Sequence, residues 1–92
     1  MVRKRSKGKK CVVTFEVSFD NAEKVCVVGD WNGWKPELMR KRGSVFVLKK
    51  TFDKGKEYRF RYLINDNIWE NDPSADGFVS NPFGSEDCLI KT

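Results

Sequence analysis

The chain of 92 residues contains no histidine, only three prolines, and no apolar run approaching the roughly 20 residues that a membrane span needs. Without histidine, the commonest general base in enzymes is missing. No Gly-x-Ser-x-Gly elbow is present, and no glycine-rich phosphate loop precedes a helix. These absences argue against an enzyme, so we predict no catalytic residue, no metal site and no cofactor.

Acidic residues are present, but their positions do not predict catalysis. Two pairs are close in sequence, Glu70 with Asp72 and Glu86 with Asp87, and they lie in or beside segments predicted to be polar loops. A glycosidase needs two carboxylates fixed in a cleft, and a small domain has little room for one. The run 72–77 begins like an EF-hand calcium loop, but its twelfth position is Phe83, where a bidentate Glu is required. We therefore reject a calcium site.

The three cysteines, Cys11, Cys26 and Cys88, each neighbour valine or leucine in a strand-like segment. Their number is odd and their spacing matches no zinc pattern. We expect buried free thiols that pack like small hydrophobic side chains, which favours a reducing cytoplasm. A Cys11–Cys88 disulfide between the first and last predicted strands is the alternative.

Positive charge is concentrated at the N-terminus. Residues 1–10 contain six Lys and Arg and no acid, for a charge of +6, and the overall charge of +5 leaves −1 for the remainder. This composition predicts a basic, disordered arm over 1–10 and a folded domain over 11–92. The alternative is an arm that binds nucleic acid or another acidic surface by neutralising phosphates.

Short alternating segments predict β-structure. Apolar residues alternate with polar ones from Cys11 to Phe19 and from Tyr58 to Ile64, which is the pattern of a strand with one face on a core. Valine-rich strands are predicted at 24–29 and 44–52, and shorter strands at 37–41, 68–70 and 87–91. Segment 71–85 is predicted to be a long polar loop. About seven short strands without a helical period indicate an all-β sandwich.

The segment Val25 to Pro36 ends a valine-rich strand with a turn that carries two tryptophans. Gly29, Asn32 and Gly33 are residues that tolerate or favour turn conformations. An indole on a turn either folds back onto the core or presents a flat apolar face and one N–H donor to a ligand. Both interpretations are open for Trp31, and ligand contact is favoured for Trp34.

Three segments carry motifs in a fixed order. They are Gly29-Asp30-Trp31-Asn32-Gly33-Trp34; Tyr58 to Ile64 followed by Trp69 and Asp72-Pro73-Ser74; and Phe83 to Asp87 leading into Leu89-Ile90. Together they resemble family 48 carbohydrate-binding modules, which include the glycogen-binding domain of the AMP-activated protein kinase β subunit and the N-terminal domains of isoamylases and branching enzymes. The resemblance covers roughly residues 11–91. It implies an immunoglobulin-like, early-set β-sandwich that binds α-1,4-linked glucan without catalysis.

The resemblance also implies a sugar site. Trp34 and Trp69 match the stacking tryptophans of the family, and Arg61 matches a basic residue on the strand between them. The resemblance also implies Phe83 in place of a family leucine, Ser85, and Asp87 in place of a family asparagine. Independently of the family, the turn residues Asn32 and Lys35 are candidates because they can supply polar partners for sugar hydroxyls. An ionised Asp accepts hydrogen bonds but cannot donate them, so the change at position 87 bears on fine specificity. The alternative interpretations are that Arg61 is an ordinary surface charge on its strand and that Phe83 packs in the core.

Three hypotheses of function follow. The first is a non-catalytic module for α-glucan of the glycogen or starch type. The second is an early-set protein-interaction module that docks on a glucan-metabolising enzyme or kinase. The third, ranked last, is nucleic-acid binding through the basic arm. We expect no membrane association.

Overall fold

Two antiparallel sheets pack face to face in the structure, a computed structural model that describes residues 1–92. The ten strands are β1 (Val2–Lys7), β2 (Lys10–Val17), β3 (Val25–Gly29), β4 (Glu37–Leu38), β5 (Arg40–Arg42), β6 (Val45–Asp53), β7 (Glu57–Ile64), β8 (Ile68–Glu70), β9 (Gly77–Ser80) and β10 (Glu86–Lys91). A single 3-10 turn, Asp30–Asn32, follows β3. The predicted all-β sandwich is confirmed. No helix in the structure has the length and hydropathy needed to cross a membrane.

The first sheet has the order β1-β2-β6-β5, and the second has the order β4-β3-β7-β10-β9, with β8 also paired to β7. The longest ladder of the first sheet joins β2 to β6, from Lys10 opposite Asp53 to Val17 opposite Phe46. In the second sheet β3 pairs with β7, and Val25 lies opposite Ile64. Each sheet therefore has one face on the core and one outer face.

The core lies between the sheets and contains the apolar residues that the alternating pattern places on one face. From β2 and β7 these buried residues are Cys11, Val13, Phe15, Phe60, Tyr62 and Ile64. The rings of Phe15 and Phe60 meet edge to face with their centroids 5.2 Å apart, which joins the two sheets. The predicted inward faces of both strands are confirmed.

All three cysteines are buried and unpaired. Cys11 and Cys88 belong to the core cluster, where they pack among apolar side chains. Burial raises the pKa of the Cys88 thiol to about 11, so this group stays protonated at neutral pH. The alternative Cys11–Cys88 disulfide is not formed in this structure.

The N-terminal residues form a strand, and the prediction of a disordered arm over 1–10 is wrong. β1 pairs with β2 from Val2 opposite Phe15 to Lys7 opposite Lys10. The Val2 N–H donates to Ser74 Oγ at 2.9 Å, and the Lys4 ammonium lies 2.6 Å from the Asp76 carboxylate. The composition does not reveal this strand, because its basic side chains remain in water while its backbone hydrogen-bonds to β2 at the edge of the sheet.

Two further segments differ from prediction. The chain changes sheets within the predicted strand 37–41, since β4 pairs with β3 and β5 pairs with β6, with Met39 buried between them. The predicted polar loop 71–85 contains β9, which pairs with β10. Both pieces are too short for a periodic pattern to emerge, and they account for part of the excess over the seven strands expected.

Asp72, at the start of the EF-hand-like run, serves the fold. Its side chain is buried and accepts hydrogen bonds from the Tyr62 hydroxyl at 2.7 Å and from the Ser74 N–H at 2.8 Å. Burial acts to raise the pKa of Asp72, but the hydrogen bonds from Tyr62 and Ser74 outweigh it and hold that pKa below its usual value. The ionised carboxylate thereby ties the loop after β8 to β7.

Candidate functional site

Trp31, the first indole of the tryptophan turn (residues 29–36), folds back onto the core. Its ring centroid lies 5.1 Å from that of Phe52, and its indole N–H donates to Glu37 Oε2 at 2.6 Å. A Cβ atom added at Gly29 would come within 2.2 Å of the Trp31 ring. Glycine is therefore required at position 29, and of the two interpretations of Trp31 the structural one is the one observed.

Trp34, the second indole, is directed outward by the backbone of the same turn. Gly33 and Trp34 both have a positive φ, of 75° and 65°. Such a conformation costs a non-glycine residue about 1–3 kcal/mol and persists only where its surroundings enforce it. Here the Trp34 N–H donates to the Gly29 carbonyl at 2.9 Å, and Asn32 Oδ1 accepts from the Lys35 N–H at 3.1 Å. The turn holds the Trp34 side chain 40% exposed.

A cleft of about 650 Å³ lies beside Trp34 on the outer face of the second sheet. We call it the indole cleft, and its lining residues are Val28, Trp34, Arg59, Arg61, Trp69, Asn81, Pro82, Phe83 and Asp87. Five of the eight predicted site residues are among them. Register explains the convergence, because Val28 on β3 lies opposite Arg61 on β7, while Trp69 on β8 lies opposite the next outward residue of β7, Leu63.

Arg61 connects the two sides of the indole cleft. Its guanidinium carbon lies 5.7 Å from the Trp69 ring centre, within the range of a cation–π contact. Its Nε–H donates to Asn71 Oδ1 at 3.1 Å, and its Nη1 group donates to Ser85 Oγ at 3.4 Å. These contacts restrain Arg61 and Trp69 together and leave further guanidinium N–H groups for a ligand.

Asn81 is a cleft residue that the sequence analysis missed. Its Oδ1 accepts hydrogen bonds from the N–H groups of Phe83 and Ser85 at 3.0 and 3.2 Å. Its amide donates to Asp87 Oδ1 at 3.1 Å. The signal was present, because an Asn before a Pro, with Gly84 following, is a typical turn start whose side chain caps its own loop.

Phe83 and Asp87 differ sharply in exposure. Phe83 is 90% exposed, so it is not the core residue that was the alternative. Asp87 is only 6% exposed, and its Oδ1 already accepts from Asn81. Phe83 therefore supplies free apolar surface at the rim of the indole cleft, whereas Asp87 supplies its floor.

The other predicted residues do not line the indole cleft. Ser85 lies behind Arg61 and bonds to Asn81. Asn32 is occupied inside the tryptophan turn, where its amide donates to the Lys35 carbonyl and to Glu37, both at 3.3 Å. Their placement makes Ser85 and Asn32 supports of the site, and Lys35 contributes its backbone groups to the Asn32 side chain.

A second groove of similar volume, about 650 Å³, lies on the far side of Asn81. Its lining is almost wholly polar, and Phe78 is the one aromatic residue in it. No group of three or more His, Cys, Asp or Glu side chains is placed to hold a metal ion. The indole cleft is thus the concave surface that combines exposed indoles with convergent polar groups.

Among known proteins, no family model and no curated sequence matches this chain.

Proposed function

We propose that the indole cleft binds α-1,4-linked glucan without catalysis. The observation that carries this proposal is the convergence of two half-exposed indoles, Trp34 and Trp69, with Phe83 and Arg61 in one open cleft. A glucose ring presents a face of C–H groups and an edge of hydroxyls. Indoles suit the face, and a guanidinium suits the edge.

The energetics predict weak binding to each site. If each indole covers on the order of 50–100 Å² of sugar, apolar burial stabilises the complex by roughly 1–2.5 kcal/mol per indole. Loss of translational and rotational freedom offsets much of this gain. The expected Kd is on the order of micromolar to millimolar. A long, branched glucan compensates because it offers many sites to each module.

The site needs little reorganisation, which lowers the entropic cost of binding a sugar chain. Trp34 is held by the backbone of the tryptophan turn, and Trp69 is restrained by Arg61. Side chains fixed before binding lose less entropy on binding.

The buried thiols of this chain are unpaired, and we place its activity in the reducing cytoplasm.

The proposal is tested by retention on a glycogen or amylose matrix. Trp34→Ala and Trp69→Ala each remove one stacking surface, so we expect each to weaken glucan affinity about five- to thirtyfold, equivalent to roughly 1–2 kcal/mol. Circular dichroism establishes that each variant is folded.

The matched control is Leu38→Ala, which truncates an exposed apolar residue on the same outer face that does not line the indole cleft. This variant should bind glucan like the parent. Retention that survives the loss of both Trp34 and Trp69, or a folded parent that binds no glucan, contradicts the proposal.

A protein-interaction module is the second candidate, and one feature favours it. Leu38, Cys26, Leu63 and Trp69 lie opposite one another across β4, β3, β7 and β8. Directly opposed residues share a face, so this apolar row extends from the cleft to Leu38, which is 63% exposed. A glucan-metabolising enzyme or kinase is the partner class that the second candidate names.

The two candidates differ at Leu38. A protein interface that spans the whole row should be weakened by Leu38→Ser, whereas glucan retention should not change. Stoichiometric co-purification of a partner that is lost in Leu38→Ser, without glucan retention by the parent, replaces the first candidate with the second.

A further inference from the structure

The outer face of the first sheet is strongly cationic. On β1, Arg3, Arg5 and Lys7 lie opposite Thr14, Val12 and Lys10 of β2. On β6, Lys49 lies opposite Thr14 on the other side. Cys11 and Val13 of β2 point into the core, so Val12 and Thr14 point outward. Directly opposed residues share a face, and the basic side chains therefore also point away from the core.

Few of these charges are neutralised. Arg3 lies 2.6 Å from Glu16, and Lys10 pairs with Asp53, at opposite ends of the face. None of the ion pairs in the structure includes Arg5, Lys7 or Lys49. Three cations without an ion-pair partner therefore remain on this face.

These side chains border a groove of about 390 Å³, which we call the cationic groove. Its lining residues are Arg3, Lys4, Arg5, Ser6, Lys7, Val12, Thr14 and Lys49. Val12 and Thr14 of β2 form an uncharged floor. The cations of β1 stand on one side and Lys49 of β6 on the other, two strand spacings or about 10 Å apart. Along β1, alternate side chains are spaced by about 6.8 Å.

Protection of one sheet edge does not by itself explain this groove. Basic residues on an edge strand prevent edge-to-edge association, which accounts for β1. Lys49 lies on β6 beyond Val45 to Val47, the stretch that pairs with β5, and it lies across β2 from the cations of β1. Cations from two strands that face one groove indicate a surface that attracts an anion.

The lining also restricts the class of anion. β2 is paired with β1 and β6, so the floor has no free backbone edge with which a peptide strand could pair. The large exposed apolar side chains lie outside the groove, so nothing here would insert into a lipid bilayer. What the groove offers is charge on both sides of a narrow, uncharged channel.

We propose that the cationic groove binds single-stranded nucleic acid through its phosphates. A phosphodiester strand is linear, carries a charge at every link and fits between two cationic walls. The groove has no aromatic residue on which a base could stack, so binding is expected to be independent of sequence. The sequence predicts a disordered arm over 1–10, whereas in the structure β1 fixes these charges opposite β2, across from Lys49.

The test is fluorescence anisotropy of a labelled oligothymidylate across a series of salt concentrations. For single strands, the logarithm of the binding constant falls with the logarithm of salt concentration with a slope of about −0.7 per neutralised phosphate. The triple variant Arg5→Gln, Lys7→Gln, Lys49→Gln should therefore reduce the magnitude of this slope by about 2. It should also lower affinity at least tenfold at low salt.

The matched control removes three cations outside the groove: Lys24→Gln, Lys56→Gln, Lys91→Gln. Both triple variants lower the formal net charge from +5 to +2. If binding depended only on net charge and not on a defined site, both variants would lose affinity equally. We expect the control to keep the parent's slope. Deleting residues 1–10 is not a usable test, because it removes a strand of the sheet.

Two further variants and competitors locate the site. Trp34→Ala should leave oligonucleotide affinity unchanged, and a loss would move the binding to the indole cleft. The groove variant should keep its glycogen retention, so this proposal and the proposed glucan site fail independently. No binding by the folded parent, equal loss in both triple variants, or equally tight binding of polyglutamate or anionic phospholipid vesicles overturns the proposal.

Discussion

At Gly29 the backbone and the Trp31 indole are so close that no side chain fits between them. We expect Gly29→Ala to destabilise the protein by about 1–3 kcal/mol, because the indole must shift against Phe15 and Phe52 to relieve the overlap. Urea unfolding followed by far-UV circular dichroism measures this loss.

Gly77 provides the matched control for the substitution at Gly29. A Cβ atom there would meet Leu89 at 3.6 Å, an ordinary van der Waals distance, and the backbone is not left-handed. Gly77→Ala should therefore leave the stability within about 1 kcal/mol of the parent or raise it slightly. Equal effects of the two substitutions would contradict the close approach of Trp31.

The two indoles of the tryptophan turn show where residue-level prediction ends. The sequence predicts an outward Trp34, since turn residues surround it. It leaves Trp31 open, because Trp31 is fixed by Phe52, which is distant in the chain, in addition to the nearby Glu37. Such contacts depend on the packing of strands far apart in the chain, which no local pattern contains.

In the loop 81–85, one side chain organises the whole segment. Asn81 combines acceptor bonds to Phe83 and Ser85 with a donor bond to Asp87. We expect Asn81→Ala to lower glucan affinity about fivefold, equivalent to roughly 1 kcal/mol, because Phe83 loses its position at the cleft. Glycogen retention beside circular dichroism measures this effect on a folded variant.

Asn81→Asp separates the two roles of the amide. This variant keeps the acceptor for the N–H groups of Phe83 and Ser85 but brings a carboxylate next to Asp87. If the donor bond matters, it should bind glucan as poorly as Asn81→Ala. Parental affinity in both variants would show that the loop is positioned by other contacts.

At the scale of elements, the long alternating strands could be predicted, and so could the short β8 and β10, whereas β1 and β9 could not. β2 and β7 are long enough for period two to identify their inward faces. β9 has only four residues, Gly77–Ser80, and β1 consists mostly of basic residues. Both strands exist because a neighbouring strand offers hydrogen bonds, which is information from outside the segment.

Acid stability is a property of the whole molecule that centres on Asp72. Folding lowers the pKa of Asp72 from about 3.8, its ordinary value in the unfolded chain. The ionised carboxylate therefore stabilises the fold at pH values above the unfolded pKa. This stability is lost as the pH falls through the lower pKa of the folded state. Asp72→Asn should cost about 2 kcal/mol at pH 7 and flatten the decline in stability at acidic pH. Urea unfolding at a series of pH values tests this expectation.

Asp20→Asn is the surface control, since Asp20 is exposed and carries none of the side-chain bonds that hold Asp72. It should leave both the stability at neutral pH and its acid dependence close to those of the parent. An Asp72→Asn variant that follows the same acid profile as the parent would assign the acid dependence to other carboxylates.

The distribution of tryptophan over the sandwich separates two optical signals within one molecule. Trp31 is packed against the core and reports whether the chain is folded, whereas Trp34 and Trp69 stand half in solvent at one cleft. A water-soluble quencher such as iodide reaches the exposed pair first. A ligand that shields the cleft would therefore reduce quenching while the emission of Trp31 stays constant. Unfolding would change both signals. Occupancy of the cleft and the folded state of the protein can therefore be followed in a single unlabelled titration.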